Sequence, residues 1–380
     1  MTVTLQVFEG KDVFEQHADS WQALLDRSPE FTFFQSPDWL IPWAKHEAGD
    51  RRLFLVVAER DGRWIGGLPL ALGPGNLGRW KMRKLEFAGA PWFNHIEIPA
   101  ADDQDRRDTL QALLDWSRKQ MRSWTALELS ELAHDGPTRR IWKDLCASQG
   151  NFLFEQQVAS SPTLDLEAFH QAGGKFSKNL RSQLNRSRRR LEEEGALEMR
   201  LFLPQSSELD RLFEECLEIE QGSWKGEQGT GIMDPQGAGA FFRELWQRLA
   251  PKQQLAMATL RVDGRLLAYH WGFKEENRFH SYTLAHRPEY NQKGPGTLLQ
   301  HHMVMEGQEA GFRFMDASRG AIAPPHLLYR YKGPVREHFQ TVLYRSSPKG
   351  SGLRFLRHSV LPKVREVKAK IKKNEEPAGR

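Results

Sequence analysis

Leu255–Phe273, LAMATLRVDGRLLAYHWGF, reads as strand, tight turn, strand, and the fold class follows from it. Two apolar runs flank Asp263-Gly264. Asp-Gly in that setting favours a type I′ turn, which needs positive φ at both central residues. Leu53–Leu72, LFLVVAERDGRWIGGLPLAL, repeats the pattern, with Asp61-Gly62-Arg63 in place of Asp263-Gly264-Arg265. The downstream segments repeat as well. After the first hairpin come strand-like Lys84–Ala90 and Asn94–Pro99, a helix pattern near Arg106–Met121 and a strand at Trp124–Leu132. After the second come strand-like Arg278–Ala285, a helix near Pro295–Ala310 and a strand at Phe312–Ser318. Both halves run hairpin, strand, helix, strand. This order predicts an α/β (α+β) protein with two related mixed sheets flanked by helices.

Lys175–Glu194, KFSKNLRSQLNRSRRRLEEE, joins the halves. Phe176, Leu180, Leu184, Ser187 and Leu191 recur at spacings of four and three, a narrow stripe on a helix whose other faces are cationic. Such a helix is either a solvated connector or a surface that meets an acidic or phosphorylated ligand, since arginine forks bind those groups bidentately. Further helices are expected at Ser207–Gln221 and Gln236–Leu249. The expected divisions are residues 1–170, 171–200 (the basic helix), 201–350 and a tail from 351 to 380.

The tail carries more than the whole net charge of +5. Arg354–Lys373 holds eight basic residues against Glu366; without it, 46 basic residues face 48 acidic ones. The excess is therefore local, which argues against a DNA-binding face. Leu353, Leu356, Val360, Val364, Val367 and Ile371 form an amphipathic stripe, with Pro362 dividing it. Two readings follow: docking on the protein, or peripheral contact with an anionic membrane. No secretory leader is expected from the N-terminal residues, no apolar run reaches membrane length, and the two cysteines, Cys146 and Cys216, have neither disulfide-framework nor metal-ligand spacing. A cytoplasmic protein without a metal is expected.

Chemistry concentrates at Tyr290–Leu299, YNQKGPGTLL. A strand ends, a glycine turn follows and a helix begins, exposing unpaired amides and the positive end of the helix dipole. Pro295 suits the first helical position. The amides of Gly294, Gly296, Thr297 and Leu298 are the expected phosphate donors. Here the sequence resembles the GNAT acyltransferase superfamily, whose pyrophosphate loop reads Gln/Arg-x-x-Gly-x-Gly/Ala. Asn291 stands where Gln or Arg is usual. FFQSPDWL (Phe33–Leu40), RRRLEEEG (Arg188–Gly195), SWKG (Ser223–Gly226), PGTLL, MDASRG (Met315–Gly320) and YRYKG (Tyr329–Gly333) give a closer likeness. It is to the cellulose-biosynthesis acetyltransferase-like (CelD/BcsL-type) family, a double-GNAT group related to Fem-type aminoacyltransferases.

The resemblance implies a C-terminal active copy that uses acetyl-CoA or another acyl-CoA. Transfer would be to an amine or hydroxyl on a small-molecule or glycan-precursor acceptor. It also implies donor contacts along the backbone of Tyr282, Thr283, Leu284 and Ala285. A base and a thiolate-protonating acid are needed, and the candidates are Asp316, Tyr290, Tyr331 and His270. Asp316 is equally readable as a turn ligand for Ser318-Arg319-Gly320. Trp224, Lys225 and Lys332 are candidate acceptor contacts. A Fem-like enzyme using aminoacyl-tRNA, favoured by the basic helix, and a non-catalytic scaffold are the alternatives.

Overall fold

The computed structural model describes residues 3–121, 123–222, 238–322 and 326–363. They fall into two compact units. The first holds the described residues within 1–35, 48–157 and 339–380; the second holds those within 36–47 and 158–338. Helix α1 (Pro37–His46) therefore belongs to the second unit.

In the first unit, β1 (Thr4–Glu9), β2 (Arg52–Arg60), β3 (Arg63–Leu77) and β4 (Trp80–Phe87) form an antiparallel ladder. Helix α2 (Asp103–Lys119) then returns the chain to β5 (Ala126–Ala133), parallel to β4. Asp61 and Gly62 have φ of 53° and 75°, as a type I′ turn requires. Helix α3 (Pro137–Ser148) follows, and the chain passes to the second unit within β6 (Leu153–Asp165). Asn94–Pro99, expected as a strand, is not one. Its alternating residues Ile96 and Ile98 are fully buried, but side chains satisfy the amides: Ile98 donates to Thr138 Oγ1 at 2.9 Å and Ala100 to Ser28 Oγ at 3.1 Å. The period of two arose from burial without a ladder.

The second unit repeats the order. Helix α4 (Lys178–Glu192) precedes β7 (Leu197–Phe202); α5 (Leu209–Gln221) and α6 (Gly239–Leu249) precede β8 (Leu255–Val262), β9 (Arg265–Glu275) and β10 (Arg278–His286). The four strands are antiparallel neighbours. Helix α7 (Pro295–Glu306) leads to β11 (Phe314–Asp316), parallel to β10 and antiparallel to β6. Asp263 and Gly264 again carry positive φ, 46° and 78°. The expected strand at Phe312–Ser318 shrinks to three residues. The amides of Arg313 and Phe314 are both drawn to the Asn277 carbonyl, and Ser318, at φ 54°, turns the chain away.

One face of this sheet is covered by α4 and α7. Leu180, Leu184 and Leu191 pack with Leu298, Leu299, Met303 and Val304 in one buried cluster. The stripe predicted on the basic helix is therefore its docking face, and each buried leucine contributes on the order of 2 kcal/mol. The other face holds Trp39, Phe241, Phe242 and Trp271 around Tyr282. The chain re-enters the first unit within β12 (Val335–Tyr344) and ends its described part beyond α8 (Pro348–Phe355). Leu353 is buried there with Met82, Val342 and Tyr344, so the first turns of the amphipathic tail dock. Val364, Val367 and Ile371 lie outside the described residues.

Candidate active site

The site is assembled where β10 and β11 part. Their pairing runs only from Arg278–Phe314 to His280–Asp316. Beyond His280, β10 continues to His286 with β9 on one side and no β11 residue on the other. A β-bulge between Ser281 and Thr283 accompanies the split. It also breaks simple alternation. Ser281 and Thr283 would share a face in a regular strand, but the register sets Thr283 opposite Trp271, whereas Ser281 bonds His270.

Past the open stretch of β10, the chain makes a short turn and starts α7. Gly294 is left-handed (φ 65°), and a Cβ there would stand 2.9 Å from Ser187 Oγ of α4. A Cβ on Gly296 would lie 3.4 Å from both His286 Nδ1 and a Leu284 methyl, so this turn sits directly against the strand end. The donor set is smaller than expected. Gly294 N–H is committed to the Asn291 carbonyl and Leu298 N–H to the Gly294 carbonyl, each at 3.2 Å. Gly296 and Thr297 remain as first-turn amides with no helical acceptor. No side chain caps the helix and its first turn holds no acid. Asn291 Oδ1 meets His286 Nε2 at 2.6 Å, which gives Asn291 a local role at the position where Gln or Arg is usual.

His270 is buried on β9, with Nε2 2.5 Å from Ser281 Oγ. Its Nδ1 has no partner among the described residues. Burial, helped by nearby His326, lowers its pKa to about 3, so the ring is neutral. Ser318 Oγ is likewise buried and without a partner. That residue is gripped on both sides, its N–H donating to Asp316 Oδ1 at 2.7 Å and its carbonyl accepting from Ser161 Oγ at 2.7 Å. A left-handed serine so restrained is the kind of strained residue that gathers at functional sites. Sequence reasoning missed Ser281 and Ser318; nothing in their local pattern separates them from ordinary strand and turn serines.

Asp316 is held between two arginines. Both carboxylate oxygens accept from Arg336 (3.1 and 3.2 Å), and Arg278 lies 3.5 Å away. Burial would raise its pKa, but Arg336, His280, the Ser318 amide and Arg278 outweigh it and hold the group at about 2. Tyr331 bonds His301 Nδ1 at 3.0 Å, packed beside Phe169 and Phe176, and burial raises its pKa. Tyr290 is half-buried, with Lys293 Nζ 5.1 Å from its ring centroid. Lys332 is a left-handed cap (φ 59°) whose amide bonds the Tyr329 carbonyl. The fold thus brings together Leu284, His286, Tyr290, Gly294 and Gly296. It places Asp316, Tyr331 and Lys332 in separate local networks. Trp224 and Lys225 lie outside the described residues. No group of three or more His, Cys, Asp or Glu among the described residues could hold a metal ion, and no described helix is long and apolar enough to cross a membrane.

The corresponding place in the first unit is different. Helix α2 is capped by Asp102, whose carboxylate accepts the Asp105 amide at 2.8 Å, and Asp103 and Asp105 occupy its first turn. At that end the Asp102 carboxylate already holds an amide for which a phosphate would have to compete. Ile96 N–H bonds the Glu131 carbonyl of β5 at 3.2 Å, and Ala100 bridges to Gly66, so the chain's own segment fills the space beside β5.

Residues 178–333 match the family described as an acetyltransferase (GNAT) domain. No curated protein matches the chain. Among solved structures, the tandem GNAT protein from the clavulanic acid biosynthesis pathway is similar at 14% identity. It covers 90% of this chain and 100% of its own, with a TM-score of 0.52. FemX is similar at 11% identity, over 85% of this chain and 95% of its own, with a TM-score of 0.53. L-PGS from Bacillus licheniformis shares 12% identity over 89% and 95%, with a TM-score of 0.50. At these identities the likeness to solved structures shows the fold alone, a mixed α/β fold, and residues 178–333 are similar to an acetyltransferase (GNAT) domain.

Proposed function

We propose that this acyltransferase domain takes its acyl group from acyl-coenzyme A and binds it in the second unit only. The observation that carries the proposal is the contrast between two helix starts in equivalent places. Helix α7 offers the Gly296 and Thr297 amides with no acid nearby in its first turn, whereas α2 presents Asp102, Asp103 and Asp105. A diphosphate is favoured at the first and disfavoured at the second. The open side of β10 from Ser281 to His286 then supplies unpaired backbone groups for the amide-bearing arm of the carrier.

In the transfer step, an acceptor amine or hydroxyl attacks the thioester carbonyl carbon. The C–S bond breaks, and the proton lost by the acceptor ends on the departing thiolate. His270 Nδ1, neutral and without a partner among the described residues, is the group suited to accept a hydrogen bond from the attacking atom. With its pKa held near 3 it orients that atom and passes the proton on without storing it. The resemblance to cellulose-biosynthesis acetyltransferase-like proteins supports sugar or glycan-precursor acceptors. The test is thiol release from acetyl-coenzyme A in the presence of amino sugars, neutral sugars and amino acids. Acceptor-dependent release supports the proposal. Release with none, together with salt-sensitive binding of aminoacyl-tRNA, favours the Fem-like alternative.

A further inference from the structure

We infer that the cationic edge of α4 beside the α7 turn is a subsite for a second phosphate, the 3′-phosphate on the ribose of coenzyme A. The inference rests on the donor reading above. Three observations on α4 carry it. Ser187, 6% exposed, directs its hydroxyl at Gly294, where a Cβ would come within 2.9 Å, and it makes no hydrogen bond among the described residues. One turn on, Arg190 Nη1 donates to the Gln292 carbonyl at 2.9 Å, which fixes its guanidinium at the rim of the turn. One turn back, Gln183 accepts from Arg330 at 2.9 Å. Gln183, Arg186 and Arg190 follow the i, i+3, i+7 spacing of one helix face, so Arg186 stands on this edge, exposed and without an ion-pair partner among the described residues.

The neighbouring cations are accounted for. Arg188 pairs with Glu192 and Arg189 with Glu193, each at 3.6 Å, and Lys293 with Glu194. Arg186 and Arg190, with no carboxylate partner among the described residues, are thus available to meet a dianion at the rim, and Ser187 lies between them. A group held by the Gly296 and Thr297 amides accounts for the diphosphate. A fork of two arginines and a hydroxyl alongside matches a terminal phosphate monoester, which accepts several charge-assisted hydrogen bonds.

Calorimetric titration of the full chain with coenzyme A and with 3′-dephospho-coenzyme A tests this. Wild type should bind coenzyme A about tenfold more tightly, a preference of the size that one or two charge-assisted bonds supply. Arg186→Gln and Arg190→Gln should each weaken coenzyme A towards the dephospho form and leave the dephospho affinity unchanged. Arg189→Gln, an equal loss of charge on another face, should keep the preference. Equal binding of the two ligands by wild type overturns the subsite while the donor reading stands, as does a preference that Arg189→Gln erases equally. Failure of both ligands to bind overturns the donor reading itself. Since Arg186 is exposed, that variant folds normally, and a matching melting curve verifies it.

Discussion

At the residue scale, two buried candidates behave oppositely. His270 Nδ1 has no partner among the described residues, whereas Asp316 is fully engaged. His270→Gln is expected to lower kcat by about 100-fold or more, in the range seen for positioned proton-handling groups, with the KM for acyl donor nearly unchanged. Steady-state thiol release checks it. Asp316→Asn should instead cost about 3 kcal/mol of stability by stranding Arg336 and Arg278, measured by urea unfolding at neutral pH. Because the folded pKa of Asp316 is depressed to about 2, its contribution is present above about pH 4 and lost as pH falls towards 2. The gap between wild type and the variant should therefore close over that window. Glu97 has the opposite sign. Burial pushes it up to about 7 against the pull of the Thr138 bonds, so its contribution is complete below about pH 4 and vanishes as pH rises through 7. Glu97→Gln should raise Tm at pH 8 and do little at pH 5.

At the element scale, the proposed donor site rests on the helix start of α7 and its glycines. Gly296→Ala is expected to weaken coenzyme A binding while changing Tm by only a few degrees, since the added Cβ meets its neighbours at ordinary contact distance, 3.4 Å. Calorimetry and thermal melting together check this. Much of this element was legible beforehand: a strand, a Gly-Pro-Gly turn and an apolar-periodic helix are local signals, and so is the Asp-Gly pair of each hairpin. The donor count was not. Whether Gly294 N–H is free depends on how the preceding turn folds back to Asn291, and no pattern in the letters encodes that. Asn94–Pro99 failed for a related reason, since alternation reports burial and says nothing of who satisfies the amides. Asp316 was ambiguous because its partner Arg336 lies 20 residues away in sequence, on β12.

At the scale of the whole molecule, two units share one order of elements and differ in chemistry at the equivalent helix start. The first unit fills the space beside its fifth strand with residues 94–100 and caps α2 with acid; in the second, no β11 residue pairs with β10 beyond His280 among the described residues, and Gly294 caps α7. On the proposed reading, one acyl donor binds per chain. Hydrogen exchange measured with and without saturating coenzyme A tests this most directly, because it reports on both units in one experiment. The account predicts slowed exchange in peptides spanning residues 281–286 and 294–298, with peptides spanning 99–106 unaffected. Slowing at 99–106, or none at 294–298 under saturating ligand, would contradict it.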